Sequence, residues 1–193
     1  MSVKIKELEK YNVILASKSP RRKELLSLIC DSFTVCPADI DESIPEGVLP
    51  EAASEYIAVK KALAIETKAL IISCDTVVIV DSEILGKPIN EDDAFSMLKK
   101  LSGKTHSVIS GVCIMFDGRS LSFSQKTSVS FYSMTDDDIW DYIKSGEPFD
   151  KAGSYGIQGL GGVFVKEIEG DYYNVVGLPV AKLRKAILAF IAN

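Results

Sequence analysis

One histidine, His106, serves the entire chain, and the four cysteines, Cys30, Cys36, Cys74 and Cys113, contain no C-x-x-C pair. That scarcity excludes the usual nitrogen and sulfur zinc sites. Any metal must then be held by carboxylates, which points to a hard ion such as Mg2+ or Mn2+. The cysteines read as reduced, small and mostly buried, in keeping with a cytosolic chain. No apolar run approaches the roughly 20 residues that span a bilayer. The charged stretch from Met1 to Tyr11 also lacks the apolar core of a signal peptide, so the expectation is a cytoplasmic protein. A surplus of basic charge is missing too. The net charge of −5 argues against broad binding of nucleic acid or acidic membrane, while a local basic site for a small anion stays compatible with it. There is no G-x-x-x-x-G-K-[ST] loop, internal repeat, low-complexity block or linker, and residues 1–193 read as a single domain.

The chain does have ample core material, with 47% hydrophobic residues. Val13 to Ala16 reads as a short buried strand leading into a helix from Pro20 to about Ile29, and Phe33 to Cys36 as a second strand. A polar acidic loop follows. Pro50 then opens a helix expected to run to about Lys68, with Ala53, Tyr56, Ile57, Leu63 and Ala64 at its apolar positions. Ala69 to Val80 is a central strand, and Ile84 to Pro88 a short returning one. Asn90 caps a helix that Gly103 stops. Two alternating runs around Asp117-Gly118 signal a hairpin, and Thr135-x-x-Asp138 a capping box. Val163 to Ile168 is a strand, and Pro179 opens a last helix. Interleaved helices and strands that include hairpins imply an α/β fold with a mixed sheet.

Several places carry chemistry. Ser17-Lys-Ser-Pro-Arg-Arg joins the first strand to its helix, and a strand-to-helix turn presents N–H groups and the positive end of a helix dipole. Arg21 and Arg22 add planar forks suited to phosphate oxygens; the bland reading is a Ser N-cap and two solvated arginines. Asp75 interrupts the apolar run Ile71-Ile-Ser-Cys-Asp-Thr-Val-Val-Ile-Val. An ionised carboxylate there needs a metal, a cation or several donors, unless the strand ends at Asp75 and leaves it exposed. Asp39, Asp41 and Glu42 lie on the acidic loop, which either completes a carboxylate metal site with Asp75, through Glu42 or Asp41, or is simply solvated. Lys60 and Lys61 on a helix, and Lys87 in Leu-Gly-Lys-Pro, either bind polyphosphate as point charges or face water. Glycines crowd the stretch Gly146 to Gly162, which reads as a flexible binding loop bearing Glu147, Asp150, Lys151, Tyr155 and Gln158. The Gln158 amide is suited to reading a base edge. His106 has no partner signature and reads as structural.

The segments Leu15-Ala-Ser-Lys-Ser-Pro-Arg-Arg-Lys-Glu-Leu-Leu, Asp41-Glu42, Lys61-Ala62, Ser73-Cys-Asp-Thr-Val-Val, Leu85-Gly-Lys-Pro, Leu101-Ser-Gly-Lys-Thr-His-Ser-Val, Asp150-Lys-Ala-Gly-Ser-Tyr-Gly-Ile-Gln-Gly and Asn174-Val-Val-Gly-Leu-Pro together resemble the Maf family of nucleotide pyrophosphatases, also called septum-formation-inhibitor-like proteins. The resemblance implies a mixed, strongly curved sheet with flanking helices and a cleft between two lobes, related to the inosine-triphosphate pyrophosphatase architecture. It implies metal-dependent hydrolysis of a nucleoside triphosphate to monophosphate and pyrophosphate. The Gly-Ile-Gln-Gly form of the late loop looks like the dTTP and UTP subgroup, since the 7-methyl-GTP subgroup carries a Glu-containing sequence there. By position Asp75 matches the family's proton acceptor, and Arg21, Thr76 and Gln158 its specificity positions. Ser73-Cys74 departs from the small residue, often Ala or Gly, that usually precedes the aspartate. The expected site is therefore Asp75 as catalyst, with Asp75 and Glu42 on Mg2+ or Mn2+. Substrate falls to Ser17, Arg21, Arg22, Lys61, Thr76, Lys87 and Gln158. Dimerisation is a family-level implication. The competing expectation is a non-catalytic nucleotide-binding regulator of cell division, which would have no need of Asp75.

Overall fold

The computed structural model describes residues 3–192. Val13–Ala16 forms β1, and Ser19 starts α1, Pro20–Ser27, by accepting the Arg22 N–H on its hydroxyl, with Pro20 in the first turn. β2 is Thr34–Val35 and α2 is Pro50–Leu63. The central apolar run forms β3, Leu70–Val80, followed by β4, Glu83–Leu85. Asn90 caps α3, Glu91–Leu101, by accepting the Asp93 N–H at 2.8 Å. β5, Thr105–Phe116, and β6, Arg119–Phe131, meet at Asp117 and Gly118, both at positive φ (48° and 75°), as a two-residue hairpin turn requires. The reciprocal capping box of Thr135 and Asp138 opens α4, Asp136–Lys144. Beyond it come β7, Val165–Glu169, α5, Tyr172–Val176, and α6, Val180–Ile191.

The seven strands form one open mixed sheet in the order β2-β1-β3-β5-β6-β7, with β4 paired to β3. β1 runs parallel to both β2 and β3, placing Ala16 beside Ser73, while the β3–β4 and β6–β7 pairs are antiparallel. The chain forms two compact units. The first comprises residues up to Asp75, Ser110–Gln125 and the stretch from Gly177 on; the second comprises Thr76–Ile109 and Lys126–Val176. Each has its own core. Ala16, Ala58, Ala62, Ile71 and Cys113 cluster in the first, and α3 and α4 bury Leu98, Leu101, Ile139 and Ile143 beside Val108 and Val129 in the second.

Helix α2 ends five residues before the expected Lys68. The Ala64 N–H closes the last turn on the Lys60 carbonyl, and the Thr67 hydroxyl accepts the Ala69 N–H, turning the chain into β3. Its buried face is Ala53, Ser54, Ile57, Ala58, Lys61 and Ala62, whereas Tyr56 and Leu63 are exposed. The inward stripe advances in steps of four from Ala53 through Ile57 to Lys61, which carries a lysine inside. The helix also lies very close to β5, because a Cβ on Gly111 would fall 2.2 Å from the Glu55 nitrogen. The buried Ser73 hydroxyl fixes this approach by donating to the Ala58 carbonyl at 2.5 Å.

His106 proves structural. It is 2% exposed, its Nε2 lies 2.8 Å from the Tyr155 hydroxyl, and its ring meets Phe131 and Tyr155 edge-on. Burial lowers its pKa from 6.5 to about 4. The folded state therefore holds the neutral ring, and unfolding takes up a proton wherever the pH lies between those values. Stability contributed by His106 should be complete above pH 6.5 and decline as the pH falls toward about 4, by up to about 3 kcal/mol. Urea titrations of the wild type and His106→Gln across that interval check this. The variant should show the shallower decline, and parallel profiles would contradict the assignment.

Candidate active site

In the first unit, β1 delivers the chain to Ser17 and α1 beside the middle of β3. The buried Ser17 hydroxyl accepts the Ser19 N–H at 3.2 Å and an Arg22 Nη1–H at 3.3 Å. Arg22 also donates from Nη1 to the Cys74 carbonyl at 2.7 Å and from Nε to the Gly177 carbonyl at 2.9 Å. Its fork therefore braces the turn, the residue before Asp75 and the approach to α6. Arg21 lies half-buried in the first turn of the same helix.

Asp75 sits within β3, not at its end, since the strand continues to Val80. Asp75 and Thr76 are the two partly open positions in an otherwise buried strand. Lys61 from α2 places its ammonium 2.7 Å from Asp75 Oδ1 and 2.9 Å from Glu42 Oε1. The Lys61 and Asp75 side chains are only 9% and 14% exposed, so each needs the other's charge. The adjacent Lys60 donates to the Asp41 carbonyl at 2.5 Å, and two consecutive lysines thus fasten the acidic loop to α2. Of the two candidates on the acidic loop, Glu42 is the one whose carboxylate meets the Lys61 ammonium that Asp75 also meets. Asp41 instead accepts the Ser43 hydroxyl and N–H, which hold its carboxyl below the ordinary range. Asp39 is exposed.

The second unit holds Thr76, Lys87 and Gln158. Lys87 is exposed just beyond β4, and the Gly153 N–H donates to the adjoining Gly86 carbonyl at 2.9 Å, linking this segment to the glycine-rich stretch. That stretch differs from the flexible loop expected. It winds through three short 3-10 turns, Glu147–Asp150, Ala152–Ser154 and Leu160–Phe164, with Gly153 and Ser154 at positive φ. Tyr155 is buried against His106, Lys151 donates to the Glu147 carbonyl at 2.7 Å, and Gln158 is exposed.

Residues 12–190 match the family model described as Maf-like protein. The chain belongs to the Maf family. It is 52% identical to a dTTP/UTP pyrophosphatase of Thermosipho africanus, a match covering 89% of each chain. It is 51% identical to one of Clostridium beijerinckii, over 89% of this chain and 95% of the relative. It is 46% identical to one of Bacillus cereus, over 92% and 95% respectively.

The Maf resemblance implies a divalent ion, and the donor set can be tested against it. Among the described residues no three His, Cys, Asp or Glu side chains converge as a metal cage. Asp75 and Glu42 nevertheless converge on one cationic group, the Lys61 ammonium. Two hard carboxylate donors are the usual protein share of Mg2+, whose other positions go to water and substrate phosphates. The residues fit such an ion. Sequence reading missed two roles: Arg22 as a brace on protein carbonyls, and Lys61 as a buried counter-charge, which its four-residue spacing from Ile57 could have signalled.

Replacing Lys61 by Met should cost about 3 kcal/mol of unfolding free energy, the low end for stripping one partner from a buried pair. Glu42→Gln, at a carboxylate 51% exposed, should cost under about 1 kcal/mol. Chemical denaturation of both variants checks the order, and equal losses would contradict the burial argument.

Proposed function

We propose that this Maf protein is a cytoplasmic, metal-dependent nucleoside triphosphate pyrophosphatase that converts dTTP and UTP to the monophosphate and pyrophosphate. The observation that carries the reading is Asp75, a carboxylate held in the middle of a buried strand by Lys61 and partly open to solvent. The relatives' names point the same way.

The chemistry follows from the side chains. A triphosphate is densely anionic, and an acidic protein must meet it with local cations. The Ser17 turn and Arg21 face phosphate oxygens with N–H, hydroxyl and guanidinium donors, and Lys87 adds a point charge. Arg22 belongs to this set as the brace that keeps the Ser17 turn and the Cys74 carbonyl in place. Water attacks the α-phosphorus, its proton passes to the Asp75 carboxylate, and pyrophosphate departs with the electrons of the α–β bridge. Lys61 orients that carboxylate, and Thr76 follows it along the strand beside the substrate. Asp75 and Glu42 would hold Mg2+ or Mn2+, which when bound supplies neutralisation of phosphate charge. Gln158 donates and accepts through one amide, matching an adjacent C=O and N–H of thymine or uracil. Cytosine has an amino group in place of one of those carbonyls, and an unpaired polar group costs about 1–3 kcal/mol.

The test is a phosphate-release assay coupled to inorganic pyrophosphatase, run with Mg2+ or Mn2+ over dTTP, UTP, CTP, ATP, GTP and 7-methyl-GTP. The dTTP and UTP rates should lead. Asp75→Asn should lower kcat at least ~100-fold with the melting temperature retained. Faster cleavage of ATP or 7-methyl-GTP would overturn the base preference. No turnover of any triphosphate by folded protein would instead favour a nucleotide-binding regulator.

A further inference from the structure

Glu147 touches no substrate in the mechanism above, yet the backbone around Gln158 is built on it. Its Oε2 accepts the Leu160 N–H at 2.8 Å, and its Oε1 accepts the Gly161 N–H at 3.2 Å and the Tyr142 hydroxyl at 2.9 Å. The Tyr142 oxygen in turn accepts the Gly156 N–H at 3.1 Å. The chain is thus tied two residues before Gln158 and two residues after it, both times to this one anchor. Tyr142 is itself fixed, 4% exposed on α4 with its ring edge-on to Phe164.

The glycines are the counterpart of this approach. A Cβ on Gly159 would fall 2.2 Å from Glu147 Oε2, and one on Gly161 would fall 2.7 Å from the Tyr142 hydroxyl. Their density serves close packing on a carboxylate. Partial burial pushes the Glu147 carboxyl upward, but the Leu160 and Gly161 N–H groups, the Tyr142 hydroxyl and the Lys151 charge together hold it below the ordinary range. The anchor is therefore an anion at neutral pH, and backbone N–H groups converging on an anion make strong hydrogen bonds.

We infer that Glu147 and Tyr142 are positioning residues for base selectivity, fixing the backbone that presents the Gln158 amide. The inference rests on the base-reading role given to Gln158 above. Glu147→Gln is nearly isosteric but turns an accepting oxygen into an NH2 group facing backbone N–H donors, which should release the loop. Tyr142→Phe removes the other half of the anchor and serves as the second variant should the first fail to fold.

The experiment is a double-mutant cycle on the ratio of dTTP to CTP kcat/KM, with Glu147→Gln, Gln158→Ala and the pair. Glu147→Gln should lower the ratio about tenfold. In the Gln158→Ala background it should lower the ratio no further, because its effect passes through that amide. Multiplying effects would show Glu147 acting by another route and overturn the inference. A ratio unmoved by Glu147→Gln but lowered by Gln158→Ala would also overturn it while leaving the base-reading role standing. A ratio unmoved by Gln158→Ala would remove that role, and the inference with it.

Discussion

A buried ammonium shared by two carboxylates is the contact on which the candidate site depends. Lys61 is a poor residue to bury, and it stays inside because Asp75 and Glu42 meet it at 2.7 and 2.9 Å. The reach of its side chain is set by how closely α2 lies on the sheet. That distance is fixed by small groups, Gly111 beneath the helix and the Ser73 hydroxyl bonded to the Ala58 carbonyl. A carboxylate in the middle of an apolar strand thus becomes tolerable, and its chemistry becomes a consequence of helix packing.

The charged residues divide by how much of their bonding the protein already uses. Arg22 donates to two carbonyls and a serine hydroxyl, Lys60 holds a loop carbonyl, and Glu147 gathers two backbone N–H groups and a tyrosine. Each resembles a ligand-binding group in the sequence and acts on the fold in the structure. Lys87 and Gln158, by contrast, are exposed. Substrate handling in this reading therefore needs both kinds, a few side chains facing the ligand and more that hold those few in place.

What the sequence made legible was what local rules decide. Ser19, Asn90 and Thr135 marked helix starts, Asp117-Gly118 marked the hairpin, and Asp75 stood out because its neighbours are Ile, Cys and Val. The motifs in order pointed to the Maf family, which the family match bears out. Long-range and packing effects were harder to see. The inward face of α2 was misread because Tyr56 and Leu63 are apolar yet exposed, while Lys61 is charged yet buried. The glycine-rich stretch looked mobile because its partner, Glu147, reaches backbone N–H groups more than a dozen residues away.

The central claim is that water attacks the α-phosphorus at the Asp75 site. Turnover of dTTP in water enriched in heavy oxygen, followed by mass spectrometry of the products, tests it most directly. The account predicts dTMP and pyrophosphate in equal amounts, with the heavy oxygen carried by dTMP. Heavy oxygen in pyrophosphate, or release of dTDP and phosphate, would contradict it.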